Sequence, residues 1–174
     1  MTHLIGITGK ARAGKDTVAS MILDMYPSEG YSFAMPLKMG LQAMLGLTWA
    51  HTDGELKECE LEWLGKSPRQ LMQTLGTEWG RACVDENIWL TLAQRRYAMN
   101  HSLGRTLVIS DVRFQNEADW IRENGKLIHV YRDGLKSVAA HSSEGGIAYD
   151  NDRDLMICNN GSIDELRATV RGIL

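Results

Sequence analysis

Residues 4–17 decide the fold of this chain, and they read Leu4-Ile5-Gly6-Ile7-Thr8-Gly9-Lys10-Ala11-Arg12-Ala13-Gly14-Lys15-Asp16-Thr17. An apolar run typical of a strand leads into a loop in which four residues separate two glycines and a lysine follows. This is the spacing of loops that wrap nucleotide phosphates. Glycine permits the tight turns that aim successive N–H groups at one anion, and the following helix directs its N-terminus to the same place. We call residues 9–17 the phosphate loop and predict that it binds a nucleotide phosphate.

One position of the phosphate loop departs from the usual pattern. The residue after the lysine is normally Ser or Thr, a magnesium ligand, whereas here it is Asp16, with Thr17 one residue later. A glycine-rich turn without a ligand is the alternative, but the strand before it, the helix after it and the lysine in register favour a phosphate site. The residues of this loop that are predicted to bind the nucleotide are Gly9, Ala11, Ala13, Gly14, Lys15, Asp16 and Thr17.

The bulk properties of the chain exclude several classes of protein. Its 174 residues suit one domain with room for an inserted subdomain. A formal net charge of −3 argues against broad contact with a nucleic acid polymer, and no apolar run approaches the length of a membrane span. The three cysteines are far apart and odd in number, which excludes a disulfide framework or a zinc spacing. A reducing cytoplasm is therefore the expected location.

Apolar runs alternate with helical patterns along most of the sequence. Strands are predicted at about residues 4–8, 31–34, 106–110, 126–131 and 155–158. Helices are predicted at about residues 16–26, 87–100 and 114–124, and further helices start near residues 36, 68 and 162. Alternation of this kind implies a parallel sheet that binds ligands at the carboxyl ends of its strands.

The predicted fold is therefore α/β: a P-loop NTPase with a parallel five-stranded sheet flanked by helices, a helical acceptor-binding insertion and a lid loop. Residues 1–174 are expected to form one domain, whose core comprises residues 1–36 and 101–174. The insertion covers about residues 37–100 and the lid about residues 133–153. From its length alone, the loop at 133–153 is either a disordered tip or a lid that closes over the reaction. The lid contains His141 and Glu144, whose roles stay open.

Polar residues follow the strands at the predicted ligand-binding edge. Asp111 ends the third strand, where a carboxylate can bind magnesium opposite the phosphate loop; capping of the next helix is the alternative. Arg113 can neutralise a phosphate oxygen or form a surface salt bridge, and Arg132, after the fourth strand, lies on the lid side. After the last strand, Asn160 and Gly161 form either an adenine platform or an ordinary turn.

The insertion supplies most of the candidates for binding the acceptor. These are Lys38, Arg69, Gln73, Trp79 and Arg81, together with Arg113 of the core. An unbroken helix would bring Arg69 and Arg81 near one face, and the guanidinium fork matches a phosphate. Gly76 and Gly80 argue against such a helix, and close backbone approach to a ligand is another use for them. Trp79 can stack on a base or belong to a core.

Taken in order, these segments resemble the deoxynucleoside monophosphate kinases of tailed bacteriophages. The resemblance covers nearly the whole chain and rests on residues 9–17, 33–38 (Phe-Ala-Met-Pro-Leu-Lys), 69–81, 111–117 (Asp-Val-Arg-Phe-Gln-Asn-Glu) and 141–144. The segment at 111–117 is the most specific. Asp16, unusual among phosphate loops in general, is what this narrower family shows. The closing Asn159-Asn160-Gly161-Ser162 is also similar to that of dephospho-coenzyme A kinases.

The resemblance implies transfer of the ATP γ-phosphate to a deoxynucleoside 5′-monophosphate, which gives the diphosphate. The acceptor phosphate, with a second pKa of about 6, is largely ionised at neutral pH, so no strong general base is needed. Positioning and charge neutralisation then carry the reaction. The implied catalytic residues are Lys15, Asp111, Arg113 and Arg132. Magnesium is expected on Asp16, Thr17 or Asp111, which the sequence does not rank.

Two other functions stay open. A related small-molecule kinase, acting on dephospho-coenzyme A or another phosphorylated metabolite, would use the same core. An ATP-driven binding switch or assembly factor would instead turn over ATP without a small acceptor, and it would need a water-positioning residue and partner surfaces. The accepted bases and the basis of a deoxyribose preference also stay open. So does a homodimer, because an apolar helix face can be core or interface.

Overall fold

The computed structural model describes residues 3–134 and 146–174. Its sheet has five strands in the order β2-β3-β1-β4-β5, and every neighbouring pair is parallel. The strands are β1 (Leu4–Thr8), β2 (Ser28–Tyr31), β3 (Thr106–Ile109), β4 (Lys126–Tyr131) and β5 (Asp154–Cys158). The predicted parallel five-stranded sheet is thereby confirmed.

Seven α-helices are found in the described part of the chain. They are α1 (Lys15–Met25), α2 (Met35–Leu45), α3 (Trp49–Thr52), α4 (Pro68–Gln73), α5 (Ile88–Ser102), α6 (Gln115–Asn124) and α7 (Ile163–Ile173). A 3-10 turn covers Glu55–Glu58, and a π-helix, Thr74–Val84, continues α4. The helices predicted to start near residues 68 and 162 are confirmed, and a serine caps each of them: Ser67 Oγ accepts from the Gln70 amide and Ser162 Oγ accepts from the Glu165 amide. Among the described residues, no helix combines the length and apolarity needed to cross a bilayer.

The strand alternation of β1 divides the core between the two faces of the sheet. Ile5 and Ile7 belong to a buried cluster with Val18 and Ile22 of α1 and Val170 of α7. Gly6 faces the other way, and a β-carbon there would lie 2.4 Å from Ile121 Cδ1 of α6. Because successive residues of a strand point to opposite faces, helices cover both sides, as a parallel sheet requires. The edge at which the strands end therefore stays accessible to ligands.

The second strand lies three residues earlier than the sequence predicts. It was expected at residues 31–34 but covers Ser28–Tyr31, in parallel register with β3. The Glu29-Gly30 pair within β2 is unfavourable for a strand. In the structure, however, Glu29 forms an ion pair with Arg96 and accepts a hydrogen bond from Asn100 at 3.0 Å. Tertiary partners on α5 thus satisfy the charge that local sequence propensity counts against a strand.

The chain divides into two compact units. The core unit, Met1–Ser32 with Ala93–Leu174, carries the whole sheet, and the helical unit covers Phe33–Leu92. That the helical unit is an acceptor-binding insertion stays a prediction. Of the expected lid, residues 135–145, with His141 and Glu144, lie outside the described residues.

The helix that continues α4 runs through Gly76 and Gly80 without a break, against the expectation that these glycines interrupt it. Trp89 Nε1 donates to the Gly76 carbonyl at 2.8 Å, and a β-carbon on Gly80 would lie 2.3 Å from Trp89 Cζ2. A β-carbon on Gly76 would lie 3.1 Å from Leu37 Cδ1. Both glycines therefore make room for packing within the helical unit, in a segment that has π-helical geometry.

Candidate nucleotide-binding site

The phosphate loop leaves β1 and enters α1 through two left-handed glycines. Gly9 has φ +140°, and Gly14, the N-cap of α1, has φ +99°. Between them the Ala13 amide donates to the Lys10 carbonyl at 3.2 Å, which closes the turn. A side chain at Gly9 would strike the Val130 carbonyl, 2.2 Å from an added β-carbon. The two glycines predicted from their spacing therefore occupy the positions that only glycine fits.

Lys15 bends back over the loop that precedes it. Its Nζ donates to the carbonyl oxygens of Gly9 at 2.9 Å and of Lys10 at 3.0 Å. The ammonium is thus held against the loop, at a point where the dipole of α1 adds positive potential. Asp16 and Thr17 follow in the exposed first turn of α1.

The segment after β3 is attached to β1. Thr8 Oγ1 donates to the Val112 carbonyl at 2.9 Å, and the Val112 amide donates to the Ile7 carbonyl at 3.2 Å. These bonds bring the segment with Asp111 and Arg113 beside the start of the phosphate loop. Asp111, Lys15 and the phosphate loop therefore lie along one edge of the core sheet, as expected for the ends of parallel strands.

A buried glutamate shapes this segment. Glu117 is 1% exposed, and its carboxylate accepts the backbone amides of Arg113 at 2.9 Å and Phe114 at 3.1 Å. It thereby fixes the backbone from which the Arg113 side chain projects. Sequence reasoning did not assign Glu117 a role, although its position three residues into the helix after Phe114 is where a capping carboxylate is common.

Tyr31 lies at the end of β2, next to the strand that Asp111 follows. Burial, and then the negative charge of Asp111, raise the pKa of Tyr31 to about 12. The phenol is therefore neutral at physiological pH and can donate a hydrogen bond. Sequence reasoning missed Tyr31, because a tyrosine in a strand is by itself unremarkable as a core residue.

The loops after β4 and β5 meet through Asn160. Asn160 Oδ1 accepts from the Asp133 amide at 2.8 Å, and its Nδ2 donates to Asp133 Oδ2 at 2.6 Å. Tyr131 also donates to Asp133, an interaction that raises the Tyr131 pKa. The predicted adenine platform of Asn160 and Gly161 is thus tied to the residue that follows Arg132.

A residue that the sequence analysis left out, Asn159, reaches the phosphate loop itself. Its Nδ2 donates to the Ala13 carbonyl at 2.8 Å, while its backbone amide donates to the Tyr131 carbonyl at 2.7 Å. The only sequence signal was its place beside Asn160 in Asn159-Asn160-Gly161-Ser162.

Within the helical unit, the candidate acceptor residues have partners of their own. Lys38 forms an ion pair with Asp53, and Arg69 Nη1 contacts Glu58 Oε1 at 2.9 Å. Although burial opposes it, the Lys38 ammonium lowers the pKa of Asp53. Of the remaining candidates, Arg81 donates to the backbone carbonyl of Glu86 at 2.9 Å. The Gln73 side chain is half-buried, and the Trp79 indole is half-exposed.

Comparison with known proteins identifies the family. A family model described as deoxynucleotide monophosphate kinase matches residues 60–170. The chain is 33% identical to a putative deoxynucleotide monophosphate kinase of Acanthamoeba polyphaga mimivirus, covering 96% of this chain and 93% of the relative. It is 27% identical to the deoxynucleotide monophosphate kinase of Enterobacteria phage T4, over 98% of both chains.

A solved structure supports the fold alone. Dephospho-CoA kinase from Campylobacter jejuni superposes with a TM-score of 0.54 at 14% identity, covering 99% of this chain and 96% of that one. The fold is therefore shared with a P-loop kinase, while the sequence relatives are deoxynucleotide monophosphate kinases. This chain belongs to the deoxynucleotide monophosphate kinase family.

Proposed function

We propose that this chain transfers the γ-phosphoryl group of ATP to a deoxynucleoside 5′-monophosphate, giving ADP and a deoxynucleoside diphosphate. The observation that carries the proposal is a phosphate loop, with Lys15 bonded to its carbonyls, in a chain that belongs to the deoxynucleotide monophosphate kinase family. Asp111 supports it, because it follows β3 at the same edge of the sheet. The bond from the γ-phosphorus to the bridging oxygen of ATP breaks, and an oxygen of the acceptor phosphate bonds to that phosphorus.

The reaction requires neutralisation of negative charge on the phosphates rather than a general base. The acceptor phosphate is already largely ionised at neutral pH, so no side chain needs to remove a proton from it. Negative charge on the transferring group and on the departing ADP must instead be neutralised. We assign the donor phosphates to Lys15 and the loop amides, and we assign Arg113 and Arg132 to the transferring group. Asn160 and Gly161 would bind the adenine.

The side chains near the loop fit a bound Mg²⁺. Asp16, Thr17 and Asp111 offer carboxylate and hydroxyl oxygens, the ligands that Mg²⁺ prefers, and Mg²⁺ commonly uses one or two carboxylates with phosphate oxygens and waters. When bound, Mg²⁺ would neutralise charge on the ATP phosphates. Asp111 would hold it from the β3 side and Asp16 or Thr17 from α1.

The helical unit would supply most of the residues that bind the acceptor, and Arg113 of the core is a further candidate. We assign its phosphate to Lys38, Arg69 and Arg81, since guanidinium and ammonium groups match a phosphate dianion. Trp79, 51% exposed, has a face available for stacking on the base, and Gln73 can hydrogen-bond to it. Because Lys38 and Arg69 each have a carboxylate partner, acceptor binding would exchange those ion pairs for contacts with phosphate.

A coupled assay of ADP release tests the proposal. ATP and magnesium are supplied with each of the four common deoxynucleoside monophosphates, their ribose counterparts, or dephospho-coenzyme A. Release that depends on a deoxynucleotide is expected. Release with dephospho-coenzyme A alone would transfer the assignment to that substrate, and ATP turnover without any acceptor would favour a binding switch.

A further inference from the structure

Asn159 connects the last two strands of the sheet to the phosphate loop. It is the first residue after β5, and its backbone amide donates to the carbonyl of Tyr131 at the end of β4. Its side-chain Nδ2 donates to the Ala13 carbonyl at 2.8 Å. The side chain is therefore supported by the sheet on one side and contacts the loop on the other.

The bond from Asn159 fixes the direction of one backbone N–H. The Ala13 carbonyl belongs to the same peptide group as the Gly14 amide, and in a planar trans peptide the C=O and N–H point to opposite sides. With the carbonyl held on Asn159, the Gly14 N–H points away from β5. This N–H is one of those that a phosphate loop offers to an anion.

The loop alone leaves that peptide free to turn. Gly14 adopts φ +99° and ψ +23°, and glycine occupies regions on both sides of the conformational map with little penalty. On its Gly14 side, the Ala13–Gly14 peptide is therefore only weakly constrained by the local backbone. A β-carbon on Gly14 would lie 2.3 Å from Asn159 Nδ2, so the amide of Asn159 rests directly against the Gly14 α-carbon.

We propose that Asn159 is a positioning residue, which holds the Ala13–Gly14 peptide in the orientation that presents the Gly14 N–H to a nucleotide phosphate. The inference rests on the proposed function, because it assumes that the loop binds nucleotide. Asn159 itself does not touch the nucleotide in this account. It removes a conformational freedom that the loop would otherwise lose only on binding, which is how preorganisation increases affinity.

The test measures ADP binding, which needs no acceptor and no turnover. Isothermal titration with ADP and Mg²⁺ compares the unaltered chain with Asn159→Ala and Asn159→Leu. Leucine keeps the branching of asparagine at the γ-carbon but cannot donate a hydrogen bond. Loss of one such bond predicts a dissociation constant about three- to tenfold higher in both variants. The matched control is Asn124→Ala, since Asn124 Nδ2 also donates to a backbone carbonyl, that of Trp120, at 2.8 Å.

A second readout separates positioning from general stability. In the unaltered chain the Gly14 amide resonance should shift when ADP binds, and in Asn159→Leu the shift should be reduced while urea unfolding stays close to that of Asn124→Ala. Unchanged ADP affinity in folded Asn159 variants would overturn this inference alone. Loss of folding in both variants would make Asn159 structural and overturn it as well. Absence of ADP binding by the unaltered chain would overturn the proposed function, and this inference with it.

Discussion

Arg122 of α6 forms a bidentate pair with Asp154 at the start of β5, with Nε to Oδ1 at 2.8 Å and Nη2 to Oδ2 at 2.6 Å. Both side chains are almost fully buried. The same carboxylate accepts the Asp150 amide at 2.9 Å and lies 2.9 Å from His129 Nε2. One ion pair therefore joins a helix, two strands and the backbone that leads into β5.

Removal of Arg122 should strongly destabilise the fold. Arg122→Ala leaves the Asp154 carboxylate buried without its main partner, and we expect a loss of about 3–5 kcal/mol in the free energy of unfolding. Arg96→Ala is the matched control, because Arg96 also pairs with a carboxylate but is 42% exposed. It should cost about 1 kcal/mol or less. Equal losses in urea unfolding would contradict the importance given to the buried pair.

Stability should decrease as the pH falls below the ordinary pKa of histidine. Burial lowers the pKa of His129 from its usual 6.5, although Asp154 opposes the shift. The unfolded chain then binds more protons than the folded chain, so unfolding is favoured as the pH falls through 6.5 toward the folded pKa. The melting temperature should fall between pH 7 and pH 5, and less so in His129→Gln. An equal pH dependence in that variant would assign the effect to other groups.

Lys15→Ala should reduce phosphoryl transfer by about 100- to 1,000-fold, the usual effect of removing one preorganised charge stabiliser. The Lys15 ammonium donates to the loop carbonyls of Gly9 and Lys10. From there it can stabilise the negative charge on the transferring phosphoryl group. Initial rates at saturating ATP provide the measurement. Lys126→Ala, at the opposite end of β4, should leave the rate nearly normal. Near-normal turnover of the Lys15 variant would refute the phosphate-loop assignment.

Arg69→Ala should mainly raise the KM for the acceptor, by about ten- to a hundredfold, as expected for the loss of a charged hydrogen bond. The KM for ATP should change little. Glu58→Gln is the informative companion, because it removes the carboxylate that Arg69 contacts at 2.9 Å and keeps the arginine. The acceptor KM of that variant should not rise. An effect of Arg69→Ala confined to ATP would place this residue on the donor side.

Gly80→Ala should destabilise the helical unit by about 1–3 kcal/mol, the cost of overpacking a close contact. The added β-carbon would lie 2.3 Å from Trp89 Cζ2. Gly172→Ala is the control, since nothing lies within 4 Å of a β-carbon there and α7 is helical at that position. That change should stabilise slightly. Thermal unfolding of both variants provides the measurement. A Gly80→Ala protein as stable as the unaltered chain would contradict the packing role of this glycine.

The core sheet was predictable because its signals are local. Predominantly apolar runs such as 106–109 and 126–131 are typical of buried parallel strands, and β4 has the predicted bounds. The position of β2 was not predictable, since its glutamate is satisfied by Arg96 and Asn100, about 70 residues later in the sequence. Long-range partners of this kind leave no local pattern.

The phosphate loop was equally readable, because the spacing of its glycines and lysine is itself the requirement for binding phosphate. The residues that support this site were not identified from the sequence. Asn159 and Glu117 act on the site by bonding to backbone atoms of Ala13, Arg113 and Phe114. The contact of Asn159 depends on how the strands are ordered in the sheet, which residue type and spacing do not encode. The contacts of Glu117 are instead a local helix cap, and its position after Phe114 was a usable signal. Gly76 and Gly80 were similarly ambiguous, because a ligand and a tryptophan can both require the absence of a side chain.

The central claim is that a deoxynucleoside monophosphate receives the γ-phosphoryl group, and following that group tests it most directly. The unaltered chain is incubated with ATP labelled in the γ-phosphate, Mg²⁺ and one deoxynucleoside monophosphate, and the products are separated. The account predicts label in the deoxynucleoside diphosphate, in amounts equal to the ADP formed, and almost none with Lys15→Ala. Label that appears only as inorganic phosphate, whichever deoxynucleotide is present, would contradict it.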